Sequence, residues 1–253
     1  MSSGLFGVDV GGSSIKYATV DSGSGRLLTP LASIPTPQPG TADALAAAII
    51  ELARSAAAGL PVGAALPSVI RNGVAWTAAN LHASLIGHDI QSQLRAGIGQ
   101  PVICLNDADA AGVAEMRWGA AREARGTVMV LTFGTGIGSA LFIDGRLVPN
   151  TELGHMEVGG VEGEKRASAR VRTDEGLDWA QWSARVNAYL DAINALFWPE
   201  LIVIGGGVSE QFDQFGPLLR SRAALAPARL GPAAGVVGAA MAVASVPGTL
   251  PGG

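Results

Sequence analysis

FGVDVGGSSIK, residues 6–16, is an apolar stretch that passes through one aspartate into two glycines and two serines, then turns apolar again. The pattern returns at 130–147 as VLTFGTGIGSALFIDGRL, with Thr132 in the place of Asp9, and both passages close alike, in VDSGSGRLL and IDGRLV. A tight turn between two strands, poor in side chains, points several backbone N–H groups into the space at the sheet edge and so cradles phosphate oxygens. Gly11, Gly12, Ser13 and Ser14 make the first such turn; Gly134, Thr135, Gly136 and Gly138, next to Thr132, make the second. Asp9, at a strand end, suits a hydrated magnesium ion better than direct contact with phosphate, because like charges repel. Either turn alone also reads as an ordinary hairpin. Recurrence with the same surroundings favours the phosphate reading, in which one phosphate chain lies between the two turns.

Outward from these turns, strands and helices alternate. Residues 4–10, 13–20 and 26–34 read as a three-strand meander joined by Gly/Ser turns. The stretch 42–58 carries Leu45, Ile49, Leu52 and Ala56 at helical spacing, strands are expected at 60–66 and 101–105, and a short helix at 88–96. A helix from Asp107 to about Trp118 follows, and at Thr127 the meander begins again. Residues 178–197 place Trp179, Trp182, Val186, Leu190, Ile193 and Phe197 on one face of a long amphipathic helix. Strand 201–204, the run Gly205-Gly206-Gly207, a helix, and a small-residue helix at about 234–246 complete the pattern. The fold class expected is α/β, as two related βββαβαβα halves with a cleft between them, divided into 1–108 and 109–253.

Composition narrows the function classes. With 48% apolar and 15% charged residues in 253, the chain is expected to be compact, and its net charge of −4 argues against nucleic-acid or membrane-surface binding. Cys104 is the single cysteine, so neither an internal disulfide nor a cysteine-rich zinc site can form. The start lacks a basic segment followed by an apolar one, and no apolar run reaches 18 residues, so a cytoplasmic protein is expected.

Five passages taken together, DVGGSSIK at 9–16, NDADAAGVAE at 106–115, LTFGTGIGSALFIDG at 131–145, ELGH at 152–155 and ELIVIGGGVSE at 200–210, resemble in this order the ROK sugar kinases of the actin/hexokinase superfamily. More narrowly they are similar to bacterial polyphosphate glucokinases and polyphosphate/ATP glucomannokinases, over nearly the whole chain from Gly4 to GPAAGVVGAAMA at 231–242. The resemblance implies two ribonuclease H-like domains of the actin type. It also implies transfer of a phosphoryl group from polyphosphate or ATP, with magnesium, to the 6-hydroxyl of glucose and of mannose, by a monomer or homodimer.

The same resemblance assigns residues. Asp107, in the N-D motif, is expected to be the base that takes the hydroxyl proton. Its competing role is a helix N-cap, which Asp109 fits better. Asn106, Glu152, His155 and Glu164 are expected on the sugar hydroxyls, with Asn80 bordering them, and Gly205, Gly206 and Gly207 beside the far end of the donor. Lys16 reads as a phosphate contact or as a solvated strand lysine. Glu157 and Glu162 read as solvated surface, and His82 and His88 receive no role.

Two features depart from the family pattern. Relatives carry a zinc-binding cluster of cysteines after E-x-G-H, whereas residues 155–172 here contain none, as in the polyphosphate glucokinase branch. His155 is therefore not expected to bind metal, and loop 155–172 must be ordered in another way. Pro67-Ser68 stands where relatives have Pro-Gly. Lys165, Arg166, Arg170 and Arg172 form the densest positive run and are the candidates for a polyphosphate track. Three alternatives compete with a glucose kinase. A DNA-binding repressor is disfavoured because the first phosphate strand starts by Gly4; a silent sugar sensor is disfavoured by the intact motifs; a kinase for another hexose or an N-acetylhexosamine stays open.

Overall fold

The computed structural model of the protein describes residues 4–79 and 81–244. Strands β1 (Gly4–Val10), β2 (Ser14–Asp21) and β3 (Ala32–Pro35) are followed by α1 (Ala42–Ala56) and β4 (Val62–Leu66). A small hairpin, β5 (Ile70–Arg71) and β6 (Val74–Ala75), precedes α2 (Ile90–Ile98), β7 (Val102–Asn106) and α3 (Asp107–Trp118). A second meander, β8 (Thr127–Phe133), β9 (Ile137–Ile143) and β10 (Arg146–Val148), leads to a hairpin of β11 (Glu157–Val158) and β12 (Val161–Glu162). Then come α4 (Glu164–Ala167), α5 (Ala169–Asp174), α6 (Trp179–Phe197), β13 (Leu201–Gly205), α7 (Phe212–Phe215), β14 (Ala224–Pro227) and α8 (Ala234–Ala244).

Two five-stranded sheets repeat one plan, with orders β3-β2-β1-β4-β7 and β10-β9-β8-β13-β14. In each, the first strand pairs antiparallel with the second and parallel with the fourth, and the fourth pairs parallel with the fifth. The expected α/β repeat is therefore present strand for strand. Central strands of this kind are covered on both faces and read as continuous apolar runs. VGAAL of β4 is buried at every position.

The chain divides into one unit of residues up to Ala114 and from Ala233 onward, and a second unit of Glu115–Pro232. This differs from the expected division at 108/109, because α8 belongs to the first unit. The reason lies in its small residues: a Cβ at Gly7 of β1 would collide with the Val236 carbonyl, and one at Gly63 of β4 with the Ala239 carbonyl. The helix backbone thus rests directly on the sheet. Such contact requires glycine on the strand side and leaves no amphipathic signature by which sequence could choose between the two halves.

The third strand is shorter than expected. Residues 26–31 meet β2 through the single bridge Val20–Leu27, and at Thr19 the backbone N–H donates to the Thr29 hydroxyl instead (2.9 Å). Pro30, without an N–H, cannot continue a ladder. The helix expected after the triple glycine is also broken: a 3₁₀ turn, Gly207–Gln211, precedes the four-residue α7, which Gly216 and Pro217 end. By contrast α6 matches its expected span. Asp178 and Gln181 close a capping box at its start, and Trp182, Val186, Leu190 and Ile193 are fully buried.

Glu115 shows how the second unit is closed where the chain enters and leaves it. Its carboxylate, 1% exposed, accepts the Ala120 N–H on Oε2 (2.8 Å) and the Arg229 and Leu230 N–H groups on Oε1 (2.9 and 2.8 Å). Substituting Glu115→Ala orphans three backbone donors and is expected to cost about 2–3 kcal/mol. Urea unfolding measures this. A change under about 0.5 kcal/mol, the size of an ordinary surface substitution, would contradict it.

Candidate active site

In the first unit the candidate residues gather at the carboxyl ends of the parallel strands. The register Asp9↔Ala65 and Leu66↔Asn106 aligns the ends of β1, β4 and β7, the edge at which α/β sheets bind ligands. The turn after β1 is closed by Gly11 N–H donating to the Ser14 carbonyl (2.9 Å). Its carbonyls are held from one side: the Thr36 hydroxyl and N–H donate to Gly11 and Ser13 O (2.6 and 3.1 Å), and Gln38 Nε2 to Gly12 O (3.4 Å). Among the described residues the amides of Gly12 and Ser13 donate to no protein group. This is the donor-rich edge that a phosphate cradle needs.

Asp9 stands directly across from Lys16 in the antiparallel register, so the two side chains share a face. Burial pushes the Asp9 carboxyl above its ordinary range, and the Lys16 charge pulls partly the other way. A Cβ at Gly235, at the start of α8, would lie 2.6 Å from the Asp9 carboxylate, so this glycine makes the room that Asp9 occupies. A hydrated divalent cation fits here: the oxygen ligand is desolvated, and its charge is incompletely balanced by one lysine.

Asn106 and Asp107 divide two tasks. Asn106, 6% exposed, accepts the Asp109 N–H on Oδ1 (3.0 Å) and donates from Nδ2 to the Ser68 carbonyl (3.2 Å). It is therefore Asn106 that caps α3, a role expected of Asp109, and this leaves the half-buried Asp107 carboxylate at the strand end, where Oδ1 accepts the Ala108 N–H (2.8 Å). Ser68 was not foreseen as a site residue. Only 2% exposed, it donates its hydroxyl to the Thr77 carbonyl (2.7 Å) and so fixes the Pro67-Ser68 loop that supports Asn106. Asn80 lies outside the described residues. His82 and His88 have local partners, Ser84 N–H (3.1 Å) and Gln93 Oε1 (2.7 Å).

In the second unit the glycine turn meets the sugar motif. Gly134 N–H donates to Gly136 O and Arg170 N–H to Gly134 O, both at 3.0 Å. Gly205 is the register partner of Thr132, and Gly206, at φ +81°, lies against the Phe133 backbone, so the triple glycine flanks this turn. Glu152 and His155 bracket one 3₁₀ turn, Leu153–His155, which Ser139 pins to β9. The Ser139 hydroxyl accepts the Leu153 N–H (3.0 Å) and donates to the Thr151 carbonyl (2.6 Å), a role that sequence reading missed. Burial raises the Glu152 carboxyl and the neighbouring Glu164 adds to this, while His155 opposes it. His155 stands 4.0 Å from Glu152, 3.8 Å from Glu162 and 3.9 Å from Glu164.

His155, Glu162 and Glu164 bring one potential ligand atom each within 4.8 Å of one another, a set that could receive a cation. Lys165 already places its ammonium 2.8 Å from Glu162, and this bond holds the Glu162 carboxyl below its usual range. Loop 155–172 is ordered by hydrogen bonds. The buried Trp182 indole donates to the Ala167 and Ser168 carbonyls (3.0 and 3.2 Å), Arg166 Nη1 donates to Val158 O (3.0 Å), and Gly163 N–H to Met156 O (2.8 Å). The positive run is correspondingly subdivided. Lys165 and Arg166 are engaged as described, and Arg172 stacks on Trp179 at 3.6 Å. Arg170 is exposed, with no side-chain partner among the described residues.

The ROK family sequence pattern matches residues 5–176. The chain belongs to the ROK family. Among its ROK relatives, polyphosphate glucokinase of Mycobacterium tuberculosis is 46% identical over 238 residues, covering 94% of this chain and 90% of that one. The crystal structure of inorganic polyphosphate/ATP-glucomannokinase from Arthrobacter sp. strain KM superposes with a TM-score of 0.90 at 45% identity, over 96% of this chain and 98% of the other. A ROK glucokinase from Streptomyces griseus, in complex with glucose and AMPPNP, shares the fold at a TM-score of 0.80 and 24% identity, covering 94% and 98%. Among the described residues no helix is long and apolar enough to cross a membrane.

Proposed function

We propose that this ROK protein is a cytoplasmic kinase that moves the terminal phosphoryl group of inorganic polyphosphate or ATP onto the 6-hydroxyl of glucose, with mannose as a second acceptor. The observation that carries the mechanism is the division of labour at the end of β7: Asn106 caps α3, and Asp107 keeps a carboxylate at the strand end. Asp107 takes the proton of the 6-hydroxyl as its oxygen bonds to the terminal phosphorus. The bond from that phosphorus to the bridging oxygen breaks, and the donor leaves one phosphate shorter. Glu152, His155 and Glu164 hold other hydroxyls, each pairing with a group that would be costly to bury unpaired. Asp9 would hold magnesium through a bound water; the ion, when present, neutralises donor charge. The amides of residues 11–14 and 134–138 orient the phosphates.

A grid of hexoses against ATP and polyphosphate, each donor offered separately with magnesium, tests this reading. Glucose is expected to be turned over with at least one donor, and mannose more slowly. Folded protein that phosphorylates neither sugar with either donor would refute it.

Arg170 is the proposed donor-selective group, because its N–H is anchored on Gly134 while its guanidinium is exposed. Arg170→Ala is expected to raise KM for polyphosphate about tenfold and to leave KM for ATP within about twofold, since a charge beyond the reacting phosphates meets only the long polymer. Equal effects on the two donors would remove this assignment. Arg166→Ala is a poorer test, because Arg166 also secures the 157–162 hairpin through Val158 O.

A further inference from the structure

Gly136 belongs to the turn read above as a donor cradle, yet its backbone does not demand glycine, since its φ is not positive. What demands it is space. A Cβ on Gly136 would collide with Glu164 Oε2, and the next amide, Ile137 N–H, donates to that same oxygen (3.3 Å). A Cβ on Gly154, in the E-x-G-H motif, would collide with the Ile137 carbonyl and come within 3.3 Å of Oε2. Gly163, just before Glu164, in turn yields to the Tyr189 ring, which a Cβ there would meet at 2.6 Å. Gly136 therefore makes the room that the Glu164 carboxylate occupies and the Ile137 amide donates to it, at the point where the phosphate turn meets the sugar motif. A negative group beside an anionic donor is electrostatically unfavourable unless its position serves another purpose.

We infer that the second phosphate turn is also part of the glucose site: Gly136 and the Ile137 amide position the Glu164 carboxylate for the sugar before any donor binds. The inference rests on the reading of Glu164 as a sugar ligand. A free glutamate side chain loses rotamer entropy when it is fixed, and a preformed slot removes that cost from the binding step.

Calorimetric titration of glucose in the absence of donor tests this, with Gly136→Ala, Glu164→Gln and the Gly136→Ala/Glu164→Gln double variant. Gly136→Ala is expected to weaken glucose binding about tenfold or more, and the double variant to bind glucose no more weakly than Glu164→Gln alone. Unchanged glucose affinity in Gly136→Ala, with weakened binding in Glu164→Gln, overturns the inference but leaves the sugar-ligand reading standing. Unchanged affinity in Glu164→Gln overturns both. If Gly136→Ala does not fold, amide exchange in the wild-type protein decides instead. Glucose alone should slow exchange of the Ile137 N–H about tenfold, and unaltered exchange would overturn the inference.

Discussion

Asp107→Asn is expected to lower turnover by about 10²- to 10⁴-fold while glucose affinity changes by no more than several-fold. Asparagine keeps the size of the side chain and an Oδ1 that can still accept the Ala108 N–H, so the strand-to-helix junction should survive. It cannot take a proton at neutral pH. Because Asn106 supplies the cap of α3, the substitution leaves that cap in place, and loss of rate with an unchanged melt can be read as loss of the base. Rapid-mixing kinetics with saturating glucose, beside a thermal melt, separates chemistry from folding. Wild-type turnover in this variant would sink the assignment.

Gly238→Ala is expected to destabilise the first unit by more than about 4 kcal/mol, or to prevent its folding. Helix propensity alone predicts the opposite sign, since alanine is favoured over glycine by about 1 kcal/mol in a helix interior. Overlap decides the outcome: a Cβ at position 238 of α8 would enter the Ala110 carbonyl of α3, and the obstacle is backbone, which no rotamer change can move aside. Ala110 lies three residues beyond Asp107, so separating the two helices also disturbs the strand end that carries Asp107. Urea unfolding of the variant measures the effect. Wild-type stability would show that the two helices do not pack backbone to backbone.

Much of this architecture could be read from the repeated turn. FGVDVGG and LTFGTGIG each mark the end of a central strand, and the strands around them fall into the same order in both sheets. What escaped sequence reading shares one property: it depends on what a residue meets, which spacing does not encode. GPAAGVVGAAM is apolar on every side, so nothing in it shows that α8 covers β1 and β4 of the first unit. Ser68, Ser139 and Thr151 look like loop or strand polar residues until their partners are known. Asn106 and Asp109 are both good caps by residue type, and only the geometry of the first turn chooses between them. The positive run 165–172 likewise reads as one track, although contacts with Glu162, Val158 and Trp179 occupy three of its four members.

Phosphorus NMR of the protein with magnesium, polyphosphate and glucose tests the central claim most directly, because it follows the transferred atom. The account predicts a new phosphomonoester signal split by the two C6 protons, growing as the polymer shortens, and absent when 6-deoxyglucose replaces glucose. Folded protein that yields inorganic phosphate alone, or leaves the polymer and ATP intact in the presence of glucose, would contradict it.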